Sequence, residues 1–114
     1  MITIHNVRTE SPQDTGADII LYCGRGERED MIPTCLGNPF VIKGAITRDN
    51  VCDDFDAWLR HGVDADKQRT VARRIGDRHA EGKHIALFCW CAPLRCHCES
   101  IRQYALESME VIND

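Results

Sequence analysis

The sequence has no apolar run approaching the roughly 20 residues that a membrane span needs. Its start, Met1–Glu10, lacks the basic and apolar regions of a secretory leader. It has no basic excess: 14 Lys and Arg stand against 18 Asp and Glu, for a formal net charge of −4. Phosphate contacts supply most of the affinity for duplex nucleic acid, so a duplex-binding protein usually carries the opposite balance. A duplex partner is therefore not expected. Neither G-x4-G-K-[ST] nor G-x-G-x-x-G occurs, which excludes the two common phosphate cradles. Internal repeats and low-complexity tracts are absent as well. With 114 residues, 43% apolar and 28% charged, the chain has the length and composition of one soluble domain with a single core.

Cysteine is abundant. There are seven, an odd number, in a chain expected to be cytoplasmic. In a reducing compartment they are read as thiols, ligands or catalysts rather than bridges. Four of them, with a histidine, fall in Cys89–Glu99, "CWCAPLRCHCE".

The elements around this stretch follow from periodicity. "ITIHNV", Ile2–Val7, alternates and is β-branched, so it reads as a strand. "ADIILYC", residues 17–23, is an apolar run of strand length and reads as a strand covered on both faces. Gly24-Arg25-Gly26 follows it directly. Residues 27–34 read as an exposed loop, "LGNPF" (36–40) as a turn, and "FVIKG" (40–44) as a further edge strand. Val51, Phe55, Trp58 and Leu59 mark one face of a helix capped by Thr47 or Asp49 and ended by Gly62. A second helix is expected from about Ala65 to Glu81, with Val71, Ala72 and Ile75 inward. Its arginines Arg69, Arg73, Arg74 and Arg78 read as a solvated face. "HIALFCWC" is a second buried strand. A last helix is expected from near Leu94, with Ile101, Tyr104, Ala105, Met109 and Ile112 inward. The order predicts one α/β Rossmann-like domain over residues 1–114, a largely parallel sheet with helices packed on it.

Two loops would then lie at the carboxyl ends of neighbouring strands, where open α/β sheets bind ligands. Cys89 and Cys91, at i and i+2 of a strand, would share a face roughly 6.6 Å apart. Cys96, His97 and Cys98 are expected in the first turns of the last helix. Cys and His are preferred zinc ligands, and Cys91, Cys96 and His97 are the candidate set, although no second distant pair is present. A helix N-terminus also favours a thiolate. That makes Cys96 a candidate nucleophile, with His97 as acid, base or charged neighbour and Arg95 adding charge. Against this, free cysteine is among the most buried residue types. Cys89, Cys52 and Cys23 are read as core, and Cys35 as incidental. In the other loop, Arg25 and Asn38 are the candidates to contact a phosphate or a base.

"GRG", "LGNPF", an aromatic "WL" on a helix and "CWC-x-P-x-x-C-H" together resemble the DUF4326 family, small domains of unassigned function found in bacteria and bacteriophages. The resemblance spans roughly Tyr22 to Ala105. It carries over to Gly24, Arg25, Gly37, Asn38, Pro39, Phe40, Trp58, Leu59, Cys89, Trp90, Cys91, Pro93, Cys96 and His97. Two departures stand out: the stretch between Gly26 and Leu36 is longer than is usual there, and Cys98 replaces a small residue ahead of the acid Glu99. The resemblance implies that the two loops form one site. The expected role is binding of a nucleotide-like or other anionic small molecule by Gly24, Arg25, Gly26, Gly37 and Asn38 together with the Cys/His segment, with thiol- or metal-assisted chemistry at Cys96 and His97. The alternative is a zinc-stabilised protein-interaction module, acting on host machinery if phage-encoded. A third reading is a reduced core with function elsewhere.

Overall fold

The computed structural model describes residues 1–112. Its elements run β1 (Ile2–Asn6), a 3-10 turn (Pro12–Thr15), β2 (Ile19–Tyr22), β3 (Ile32–Pro33), α1 (Arg48–His61), α2 (Asp66–Ala80), β4 (Ile85–Cys89) and α3 (Cys98–Ile112). The four strands form one sheet in the order β1-β4-β2-β3. Every pairing is parallel, with Ile85 of β4 in register with Ile2 of β1 and Ile19 of β2. This is the α/β class with a parallel sheet that the sequence predicts.

β4 is central, and all five of its residues are buried. Its continuous apolar run is what a parallel strand flanked on both sides requires. Ile85, Leu87 and Cys89 face a core built with Phe55 and Leu59 of α1, Ala72 and Ile75 of α2, and Ile101 and Ala105 of α3. Ala86 and Phe88 face the other way, into a small cluster with Tyr22 and Met31. All helices thus pack on one face of the sheet. The second face is covered by loops and by polar side chains of β1.

Local signals explain the helix boundaries. Thr47 caps α1: its hydroxyl accepts the Asn50 N–H, while the Asn50 side chain accepts the Thr47 N–H. Gly62 ends α1, donating its N–H to the Trp58 carbonyl at 2.8 Å. Helices α2 and α3 cross at Gly76, where a Cβ would lie 2.6 Å from the Ala105 carbonyl oxygen. Only glycine permits that approach.

Three expectations shift. The edge strand is Ile32–Pro33, inside the stretch read as loop, and residues 40–44 form no strand. An edge position tolerates Pro33, which has no N–H to donate. Phe40 is held in loop conformation because its carbonyl accepts from Arg25. The last helix starts at Cys98 rather than near Leu94. Residues 91–94 make a turn closed by Leu94 N–H to the Cys91 carbonyl, 2.9 Å. The Glu99 carboxylate then accepts the Cys96 N–H at 3.1 Å, and the Glu99 N–H returns to the Cys96 carbonyl. That reciprocal pair holds Cys96 just outside the helix. The side chain of Ile112 lies outside the described residues. No described helix is long and apolar enough to cross a membrane.

Candidate functional site

The carboxyl ends of β1, β2 and β4 open onto a pocket of about 630 Å³. Its walls include Gly24, Arg25 and Asn38 from the first loop pair and Cys89, Trp90, Cys91, Cys96 and His97 from the cysteine segment. Gly26 and Gly37 do not line it. The first turn of α1 contributes Arg48, Val51 and Cys52, and Arg8 reaches in from beyond β1.

The two glycine loops are one unit. A Cβ on Gly37 would stand 3.1 Å from the Gly24 carbonyl and 3.2 Å from Arg25 Cα, so the backbones touch. Arg25 locks them: its Nε donates to the Asn38 carbonyl at 2.8 Å and its Nη2 to the Phe40 carbonyl at 3.0 Å. Asn38 turns its own loop, its Oδ1 accepting the Phe40 N–H at 2.9 Å. Both residues singled out as ligand contacts thus also build the wall they line.

On the opposite wall Asn6, nearly buried, donates to the carbonyls of Trp90 and Ala92, at 3.3 and 2.7 Å. This anchors the cysteine loop to β1. Trp90 is 44% exposed, with the guanidinium of Arg8 5.3 Å and that of Arg28 5.8 Å from its ring centre. Its Nε1 donates to the Tyr22 hydroxyl at 2.7 Å. Arg95 is drawn away to α1, pairing with Asp49 and Asp53 at 2.9 and 2.7 Å, so its charge is already matched.

The thiols that meet are Cys89, Cys96 and Cys98, whose sulfurs all lie within 4.8 Å of one another. Cys96 donates S–H to Cys89 at 3.3 Å. Three thiols at this spacing could hold a metal ion. The candidate set from the sequence was Cys91, Cys96 and His97. Cys96 is in the trio, whereas Cys91 lies beyond the end of β4 and outside it. His97 Nε2 donates to the Cys23 carbonyl at 2.7 Å, and the ring packs edge-on to Phe55 with centres 5.0 Å apart. Burial holds the His97 pKa down, which favours the neutral ring.

Cys89 is drawn below the usual thiol range, first by the S–H of Cys96, then by that of Cys98, with the N–H groups of Cys91 and Ala92 adding to both. Cys96 is pushed up, chiefly by donating to Cys89. Cys96 precedes the first turn of α3, which begins two residues later, so it lies outside the helix start where it is expected from the sequence.

Arg8, Arg48, Cys89 and Cys98 were not among the residues read as site from the sequence. Cys89 and Cys98 carried a signal: the pattern C-x-C-x4-C-x-C spans the whole loop. For Arg8 and Arg48 only strand order and helix docking bring them to the pocket.

A family model described as a domain of unknown function (DUF4326) matches residues 6–107. No curated protein and no solved structure matches the chain.

Proposed function

The chain belongs to the DUF4326 family, and from that premise we propose that its pocket binds an anionic small molecule of nucleotide-like size. One observation carries this: Arg8, Arg25 and Arg48 converge with Trp90 on a single cavity, in a chain whose net charge is −4. A volume of about 630 Å³ is in the range of small-molecule sites. Arginine suits carboxylate and phosphate because its planar fork donates in pairs. Trp90, half-exposed at the rim, offers a ring edge and face to a base or another flat group.

The test is a titration of nucleoside monophosphates, diphosphates and inorganic phosphate at low salt, followed by tryptophan fluorescence and checked by calorimetry. Arg8→Ala and Arg48→Ala are the informative variants, since Arg25 also holds the loops. Each is expected to weaken binding about tenfold, on the scale of one charge-assisted hydrogen bond. Unchanged affinity in both variants, or no binding of any of these anions at millimolar concentration, would remove the reading.

The thiol trio favours a second reading, in which zinc at Cys89, Cys96 and Cys98 stabilises a module that acts by contacting a protein partner. A structural ion contributes folding free energy. Chelation of protein purified with its metal would then unfold the domain, and under the first reading it would not.

A further inference from the structure

We infer that Cys89, Cys96 and Cys98 bind a single thiophilic ion whose fourth coordination position opens into the pocket. The sulfur spacing fits one ion. At a metal–sulfur distance near 2.3 Å, a tetrahedral centre holds its sulfurs roughly 3.8 Å apart. The trio already lies between a 3.3 Å contact and the 4.8 Å outer limit, so adjustments of about an ångström or less complete it. Soft thiolates select zinc, copper(I) and their like over magnesium or calcium. On binding, each thiol that carries a proton exchanges its S–H bond for a sulfur–metal bond and the proton passes to solvent.

The surroundings are those of a metal thiolate. The turn at 91–94, closed by the Leu94 N–H on the Cys91 carbonyl, and the Cys96–Glu99 pair at the start of α3 fix the backbone on either side of the trio, and such outer hydrogen bonds orient metal ligands.

The openness follows from which sulfur sits where. Cys98 is fully buried and lines no part of the pocket, whereas Cys89 and Cys96 do line it. Cys23, also fully buried, shares the core with Cys98 but is not among the sulfurs that lie within 4.8 Å of one another. Three protein sulfurs around a tetrahedral ion leave one vacant direction, and the cavity lies on the side of Cys89 and Cys96. A structural zinc site is closed by four protein ligands, while a three-ligand site admits water or a substrate. The ion itself does not depend on the anion reading above. Completion of its coordination by a pocket anion would rest on that reading.

Cobalt(II) chloride is the probe, added without oxygen to reduced, metal-free protein. The expected result is one cobalt per chain, with near-ultraviolet sulfur-to-cobalt bands of three-thiolate intensity and visible bands of a tetrahedral centre. Cys98→Ser and Cys96→Ser should each lose about a third of the sulfur-to-cobalt intensity, and Cys23→Ser should lose none. Azide, a small ligand that needs only a vacant position, should shift the visible bands. Circular dichroism accompanies each variant, and the wild-type spectrum alone decides if a variant fails to fold. Folded wild-type protein without cobalt bands would overturn the inference. Four-thiolate intensity that falls by about a quarter in Cys23→Ser, with no response to azide, would overturn the open position. An azide response without any nucleotide or phosphate binding would uphold the open ion and count against the anion reading alone.

Discussion

On the helix-free face of the sheet, Thr3, His5, His84 and Glu10 form a hydrogen-bonded chain; at the carboxyl edge of the same strands, Cys89, Cys96 and Cys98 form a thiol trio. The first has the outline of a nucleophile, base and acid. His5 Nδ1 donates to Glu10 at 2.7 Å, and the Thr3 hydroxyl links the Nε2 atoms of His5 and His84 at 2.6 and 2.7 Å, donating to one and accepting from the other. Glu10 is fixed further by the Asn6 N–H at 2.8 Å. Thr3, both ring nitrogens of His5 and both oxygens of Glu10 are engaged within this network, and none of the four residues lines the pocket. The trio is the reverse: its sulfurs have more capacity to bind than their neighbours use, and two of them face a cavity. A site is marked by unmet valence beside space, not by a familiar sequence of residue types.

Truncating one aromatic on each face should separate the two regions most sharply. Phe55 and Phe88 are both fully buried. Phe55 packs against His97 and the helix-side core, while Phe88 stacks on His5 with ring centres 5.1 Å apart. Phe55→Ala and Phe88→Ala should each cost about 3–5 kcal/mol of stability in urea unfolding. The pocket should diverge: Phe55→Ala removes the ring that seats His97 and is expected to weaken nucleotide binding more than Phe88→Ala, whose link to the pocket wall runs through Tyr22. Equal loss in both would mean the two faces are one cooperative unit and the contrast is void.

Much of this fold is legible in the sequence. β4 announced itself by an unbroken apolar run, and Thr47 and Gly62 bracketed α1 by capping chemistry. The site was legible only in part. Cys89 shares the parity of Ile85 and Leu87, so periodicity assigns it to the core; it is in the core, but at the strand end where core meets cavity. Cys98 reads as a mere departure from the family pattern when the helix start is set near Leu94 and the Cys96–Glu99 cap is not recognised. Arg8 was invisible for a topological reason. Strand order, which places β1 beside β4, has no local signature in either strand.

Arg25 tests whether the first loop pair is scaffold, ligand contact, or both. Its bonds to the Asn38 and Phe40 carbonyls are made near the surface, so their share of stability is modest. An ammonium cannot span two carbonyls as the guanidinium fork does. Arg25→Lys should therefore lower the unfolding free energy by about 1 kcal/mol and speed hydrogen exchange at the Phe40 N–H. If stability and exchange are unchanged while anion affinity falls, the residue is a ligand contact first and the loop lock is incidental.

The smallest effect belongs to the closed chain, and its sign is fixed by Glu10. The carboxyl is held below its ordinary value of 4.5, first by the hydrogen bond from His5 and next by the Asn6 N–H. A carboxyl whose folded-state pKa is depressed stabilises the fold above its unfolded pKa, and that contribution is lost as pH falls through the folded value. Wild-type stability should therefore drop more steeply than that of Glu10→Gln as urea unfolding is carried from pH 6 to about pH 3. The side chain is 42% exposed, so solvent screening keeps the difference under about 1 kcal/mol. Nucleotide and cobalt binding should be the same in both proteins at pH 7, because none of this chain reaches the pocket. Parallel stability curves would show that the Thr3–His5–Glu10 chain does not hold charge in the folded state. A change in cobalt binding would show that the helix-free face and the thiol trio communicate through Asn6, whose N–H contacts Glu10 and whose side chain anchors the cysteine loop.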